Sequence, residues 1–196
     1  MWRLFGAVDL RAGGGRVILE PFPAFLPAEY RIKFATEPWE RREAAALRRV
    51  VFCDEQGIFA GDDRDAIDQV AIPIVAISSF AIVPQEVVGT VRIHEAQPGV
   101  WWGSRLAVAT PYRKIGALGT ALIRLAVGSA HARGCRQFFA HVQSQNAVLF
   151  RRLHWETLDE REIHGRPHHL MRADLRHYPP LADAETGFLS LPRKAA

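Results

Sequence analysis

Residues Leu106–Leu122 read LAVATPYRKIGALGTAL. Leu106, Ala107 and Val108 form a short apolar strand that breaks at Ala109-Thr110-Pro111. A basic turn follows, Arg113-Lys114-Ile115-Gly116-Ala117-Leu118-Gly119, and a strongly apolar helix then starts. A strand, a cationic glycine-bearing turn and a helix N-terminus in that order make an anion cradle. Glycine lets backbone amides approach an anion, and the helix dipole adds partial positive charge. Such a turn suits a pyrophosphate. It is neither a Walker loop nor a GxGxxG dinucleotide fingerprint. On this segment alone, an ordinary strand-turn-helix connection is the alternative.

Working outward, the 196 residues predict one domain with a substantial core. No apolar run reaches the roughly 18 residues that a spanning helix needs. The opening MWRLFGAVDLRAGGG is a poor signal peptide, so the expected location is the cytoplasm, with no membrane partner. Cys53 and Cys135 form no CxxC pair and suit a reducing compartment as small buried hydrophobes. The net charge of +4 permits nucleic-acid binding. However, the cations are scattered over presumed amphipathic helices (Arg41-Arg42, Arg48-Arg49, Arg151-Arg152), and no nucleic-acid motif accompanies them.

Alternation, helical spacing and turn residues predict the elements. Strands are expected over 30–34, 70–77, 86–93, 100–108, 137–142, 155–162 and 168–174. Helices are expected over 37–52, 118–133 and 146–153, with a short helix and loop over 54–68. Gly134 should stop the second long helix. Residues 1–29 read as an extension with a possible strand over 16–19, residues 30–178 as the domain, and 179–196 as a loosely attached tail. The order β-α-α-β-β-β-α-β-α-β-β argues for one central, partly parallel sheet.

Several motifs together resemble the GNAT superfamily of N-acetyltransferases. Arg113 and Gly116 fit its acyl-CoA loop, Arg/Gln-x-x-Gly-x-Gly/Ala; Leu118 departs from it, and Gly119 comes one residue late. Val51-Phe52-Cys53-Asp54-Glu55-Gln56-Gly57 is similar to the end of the first helix in small bacterial members. Asp65-Ala66-Ile67-Asp68 is similar to their DxxD element, and Val88-Gly89-Thr90-Val91-Arg92 to VGTxR on the third strand. Gly165-Arg166-Pro167-His168-His169-Leu170-Met171 resembles GIPHxxM. The phrases FCDEQGIF, VGTVRIHE, WWGSRLAV, AHVQSQN and YPP resemble a nitrogen-starvation-associated subfamily.

The resemblance implies the GNAT acyl-CoA N-acyltransferase fold. This is an α/β (α+β) mixed sheet splayed between strands 4 and 5, with helices on both faces. It implies acetyl-CoA as co-substrate. By resemblance the carrier lies on Leu106, Ala107 and Val108 and in the turn Arg113, Lys114, Ile115, Gly116, Ala117, Leu118 and Gly119. Thr120 adds a hydroxyl there, and Asn146 reaches the same ligand. Edge pairing of the splayed strand with the pantetheine arm is the physical basis, and one amide there can face the developing oxyanion.

The catalytic groups are less regular. Where many members carry a tyrosine as acid to the thiolate, this chain has Phe150. Where some carry a glutamate on the fourth strand, it has Trp101-Trp102-Gly103-Ser104. His168 is the first candidate for moving the proton, because an imidazole titrates near neutrality, with a turn-capping histidine as the plainer reading. Glu95 is the second candidate, against a solvated strand end. His141 reads as a buried strand histidine. His164, His168 and His169 lack metal-ligand spacing, so no metal is expected.

Trp101, Trp102, Arg105 and Glu55 are the candidate acceptor-binding residues. Alternation sends Trp101, Gly103 and Arg105 to one face and Trp102 and Ser104 to the other. Arg105 either receives a carboxylate on the substrate or pairs with Asp65 or Asp68 as a brace. The expected reaction is N-acetylation of a small, polar nitrogenous amine by direct attack, in a monomer or homodimer. The alternatives are a non-catalytic acyl-CoA-binding domain and an acyl-homoserine-lactone-type synthase.

Overall fold

The computed structural model describes residues 29–80, 83–113 and 117–191. The possible strand over 16–19 lies outside them, as do Lys114, Ile115 and Gly116 of the turn. Strands β1 (Glu29–Phe34), β2 (Ile72–Phe80), β3 (Val83–Gln97), β4 (Val100–Val108), β5 (Gln137–Gln143), β6 (Trp155–Ile163), β7 (Arg166–Ala173) and β8 (Phe188–Ser190) form one sheet. Their order is β6-β7-β5-β4-β3-β2-β1-β8. All neighbours are antiparallel except β4 and β5, which run parallel. Among the described residues three α-helices accompany it, α1 (Pro38–Arg49), α2 (Leu118–Ala132) and α3 (Ala147–Arg152).

Strand alternation divides the core between the two faces. Val75 and Ile77 of β2 pack with Ala44 and Leu47 of α1. Ile74 and Ala76, one residue out of phase, pack with Leu118, Leu122 and Leu125 of α2. Period-two alternation sends these sets to opposite faces, so helices cover both.

The start of α1 is fixed by a capping box between Glu37 and Glu40, with Pro38 at its first position. The predicted run to Phe52 is not a single α-helix. Residues Val50–Glu55 widen into a π-helical turn, and Gly57 then takes φ +62°. Such turns recur near functional sites, and this one carries Phe52, which is buried against the sheet with Val75 and Ile77. Gly134 stops α2 as expected, at φ +86°.

The tail is not loose over its described length. Tyr178 and Ala184 are buried, and the Leu181 amide donates to the Gly128 carbonyl of α2 at 2.9 Å. The Phe34 amide donates to the Ala184 carbonyl at 2.8 Å, and β8 then adds to β1. Proline and polar residues hid a segment whose contribution is mostly main-chain pairing.

Candidate active site

Strands β4 and β5 pair only over Val100–Gly103 and Gln137–Ala140. Beyond that, β4 continues to Val108 and β5 to Gln143 without joining. The parting coincides with a bulge. Thr90 faces Ala107 and Arg92 faces Ser104, so Val91 alone opposes both Arg105 and Leu106. Arg105 adopts φ +56° there. A bulge breaks the two-residue rhythm and bends the strand. The predicted placement of Arg105 beside Trp101 and Gly103 is therefore corrected: its side chain reaches Asp63 and Asp65 instead.

A cavity of about 500 Å³ occupies the gap. On one face of the sheet it is walled by Ile123 and Val127 of α2 and Phe150 of α3. On the other it is walled by Phe52, Phe59 and Ile67. One space thus runs through the sheet between two splayed strands.

Its floor on the α1 side is a network of three arginines and three aspartates. Arg48 Nε donates to Asp63 Oδ2 at 2.8 Å, and Arg105 Nε donates to the same oxygen at 2.9 Å. Arg92 Nη1 and Nη2 grip Asp65 at 2.8 and 2.7 Å, and its Nε donates to Ser104 Oγ. Asp68 takes Arg48 and Arg92. Arg92 is 2% exposed and Asp63 1%. Hydrogen bonds from Arg92 hold the Asp65 carboxyl below the usual carboxylate range, against the opposing effect of burial. Arg105 is thus a brace, as one of its two sequence readings had it, and it also lines the cavity.

Four imidazoles border the space: His94, His141, His164 and His168. His168 Nδ1 lies 2.8 Å from the Arg166 carbonyl. Only a protonated Nδ1 can donate there, which leaves Nε2 as a lone-pair acceptor. His141 is exposed rather than buried and leans on Trp102, ring centroids 5.1 Å apart. Desolvation of the part of the ring turned toward Trp102 lowers its pKa, helped by Arg161 and His168. His94 sits opposite Trp102 across β3 and β4. Its Nδ1 is buried with no hydrogen-bond partner among the described residues, and burial and then Arg92 lower its pKa. The sequence does not single out His94 or Gln143 as pocket residues, and it brings His164 forward only as a metal ligand, which its spacing excludes. A parity signal was available for His94, which shares a strand face with Arg92 and pairs with Trp102.

The other predicted residues divide. Trp102, Arg105, Leu106, Asn146 and His168 all line the cavity. Trp101 does not: it is 4% exposed in the α2-side core. Glu95 turns away to accept the Gly99 amide at 2.7 Å in the β3–β4 turn. Glu55 leaves the pocket edge to Gln56 and binds Thr110 and Arg113 at 2.8 and 2.5 Å. Arg113 also donates from Nε to the Val108 carbonyl at 2.8 Å.

Ala107 is buried beneath α1, and Ala117 caps α2. Leu118, the departure from the loop pattern, is 1% exposed in the core. A Cβ on Gly119 would meet nothing within 4 Å, so the first turn of α2 is open there, beside half-buried Thr120. First-turn amides have no helical acceptors, and this turn follows Arg113. A bent, half-paired strand, an open helix N-terminus and a cavity lined by Leu106 of the strand and Ile123 of the helix fit a long thioester carrying a diphosphate. No group of three or more His, Cys, Asp or Glu side chains arranged for a metal occurs among the described residues.

The pattern of the Acetyltransferase (GNAT) family matches residues 35–155. Among solved structures, one described as an N-acetyltransferase from Lactobacillus plantarum superposes with a TM-score of 0.64. It shares 22% identity over 74% of this chain and 97% of its own. An acyl-CoA N-acyltransferase from Pseudomonas aeruginosa gives 0.59 at 17% identity, over 74% and 98%. An aminoglycoside 6'-N-acetyltransferase complexed with coenzyme A gives 0.58 at 14% identity, over 72% and 94%. These identities show the shared fold alone. No curated protein sequence matches the chain. The sheet parted between β4 and β5 and the match across more than half the sequence lead to one conclusion: the chain belongs to the GNAT acetyltransferase family.

Proposed function

We propose that the protein transfers an acetyl group from acetyl-CoA to the amine of a small nitrogenous metabolite by direct attack in a ternary complex. The observation that carries this is the cavity where β4 and β5 part, lined on one face by α2 and α3 and on the other by Phe52, Phe59 and Ile67. A carrier entering on one side and an amine on the other meet where β4 and β5 part. The new N–C bond replaces the C–S bond, so one proton leaves the amine and one reaches the sulfur. His168 Nε2 is the proton acceptor in this reading.

Direct attack is favoured over a cysteine intermediate because the thiolate is the nucleophilic form. Burial pushes the Cys135 thiol up to about 11 and raises that of Cys53. The carrier would be held by the free edge of β4, the Arg113–Thr120 turn and Asn146. The setting we propose is cytoplasmic nitrogen metabolism, in a monomer or homodimer. It rests on the two free cysteines and the subfamily-like phrases.

A second reading, acyl-CoA binding without turnover, is favoured by one observation: Phe150 lines the cavity and has no proton to give. Calorimetry with coenzyme A and acetyl-CoA, then a thiol-release assay over a panel of amines, separates them. Binding with turnover supports transfer. Binding with no turnover on any amine supports the second reading. No heat with either thiol compound overturns both.

A further inference from the structure

The acceptor side of the cavity is unusual in its charge. Asp65 is the carboxylate that lines it among the described residues, and Asp65 is saturated. Its Oδ1 accepts from Arg92 and from the Ile67 amide, and its Oδ2 accepts from Arg92 and Arg105. The network beneath holds three arginines (Arg48, Arg92, Arg105) against three aspartates (Asp63, Asp65, Asp68), so its charge sums to zero. Among the described residues that line the cavity no carboxylate is left to meet a second cation, and the Arg105 guanidinium is part of that lining.

Beside this network the wall carries rings, Trp102, Phe59 and the imidazoles, set among aliphatic side chains such as Ile58, Ile67 and Ile163. The Trp102 ring leans on Phe139 and His141 with centroids 5.4 and 5.1 Å apart and planes tilted by 36° and 38°. Phe59 meets His164 edge-on at 4.9 Å. His94, beside Trp102, has its Nδ1 sealed from solvent and unpaired. Protonating that ring would strand an N–H donor in a dry place, which is costly. His94 therefore stays neutral and offers an uncharged ring edge to the ligand.

We propose that this pocket selects a flat-bodied monoamine, an arylalkyl or heteroarylalkyl amine with one ammonium, and turns polyamines away; the proposal rests on the transfer reading above. Trp102 supplies ring surface for a planar body, beside Phe59, one face of which already carries the Arg105 guanidinium 4.4 Å from its centroid, and an aromatic face attracts a single ammonium without a carboxylate. A polyamine would bring a second ammonium into a partly dry site whose anions are already taken. Burying a charge without a partner is the expensive case.

The test reads binding before turnover. Protein saturated with coenzyme A is titrated by calorimetry with phenethylamine, tryptamine, putrescine and spermidine. The expected result is at least about ten-fold tighter binding of the two aryl amines, roughly the scale of one aromatic contact. Trp102→Leu is expected to erase most of that preference while coenzyme A binding stays unchanged, and Trp102→Phe to keep it. Equal or tighter binding of the polyamines overturns the proposal, as does the absence of measurable aryl amine binding. The aryl preference with no acetyl transfer to any amine overturns the transfer reading and leaves the pocket's selectivity standing.

Discussion

Arg48 of α1 and Arg105 of β4 meet at one carboxylate oxygen, Asp63 Oδ2, at 2.8 and 2.9 Å. The loop that carries Asp63 is thereby pinned both to a helix and to the bulge that opens the sheet. Breaking a buried ion pair from one side leaves an uncompensated charge, at about 3–5 kcal/mol. Asp63→Ala strips both arginines of this partner at once. Urea unfolding is expected to show a loss in that range, with the midpoint displaced and the slope unchanged. A loss below about 1 kcal/mol, the scale of an exposed pair, would show that the network is ornamental.

Glu55 and Arg113 form the second relationship that couples helix end to turn. Hydrogen bonding from Arg113 lowers the Glu55 carboxyl pKa, so Glu55 is ionised at neutral pH. An anionic diphosphate at this turn would compete with Glu55 for the guanidinium. Arg113→Ala should therefore raise the KM for acetyl-CoA by about ten-fold, the scale of one charge-assisted contact. Glu55→Gln should lower it, because a competing carboxylate is removed. Measured KM values that rise equally in both variants would mean the pair acts only as a structural clip.

Much of this architecture was legible in the residues. Strand runs such as Val100–Val108 and the helix stopped by Gly134 follow from alternation and turn chemistry; the strand has the expected ends, and the helix stops one residue earlier than expected. Arg105 was harder: its face depends on a bulge, and a bulge leaves no mark in apolar spacing. Glu95 and Glu55 were chosen for their chemical type, yet each is held by its own neighbours, Gly99 in one case and Arg113 in the other. Trp101 and Trp102 are alike in sequence and opposite in fate, one in the core and one in the cavity. Which of two adjacent aromatics faces a ligand depends on what covers each sheet face, and that is tertiary information.

The docked tail gives a prediction of its own. Gly187 has φ +64°, and a Cβ there would lie 1.8 Å from the Ile32 carbonyl oxygen. No side-chain rearrangement relieves a backbone clash. Gly187→Ala should lift β8 from β1 and expose the Phe188 amide to exchange. Hydrogen exchange would show faster exchange at residues 188–190 and along the outer edge of β1, with β5 to β7 unchanged. Unaltered protection at 188–190 would mean that β8 contributes nothing to the edge.

Acid should weaken the fold through two pocket histidines. Partial desolvation by the pocket walls lowers the pKa of His94 and of His141 in the folded protein. In the unfolded chain each titrates near the usual value of about 6.5. Below that value the unfolded state binds more protons, so stability is complete above it and is lost as pH falls through the lowered folded values. The Asp65 and Asp68 carboxyls are held low by arginine hydrogen bonds, and they add no slope until pH nears the carboxylate range of about 4. Urea midpoints measured between about pH 7 and 5.5 should fall, and His94→Gln should flatten that fall. Identical slopes in the two proteins would remove His94 from the account.

His168 carries the sharpest kinetic expectation. Its Nδ1 is held by the Arg166 carbonyl, which fixes the ring and points the basic nitrogen, Nε2, away from that contact. A positioned general base contributes about 10²–10⁴-fold. His168→Gln keeps a polar group of similar reach but cannot take a proton. Its kcat should fall by about 100-fold, with the KM for acetyl-CoA unchanged because no thioester-holding group is touched. The acid limb of the kcat–pH profile should vanish in the variant. Retention of that limb, or a kcat within about three-fold of the parent, would reduce His168 to a turn residue and shift proton acceptance to solvent. A fall in kcat accompanied by an equal rise in KM for acetyl-CoA would place its role in carrier binding instead.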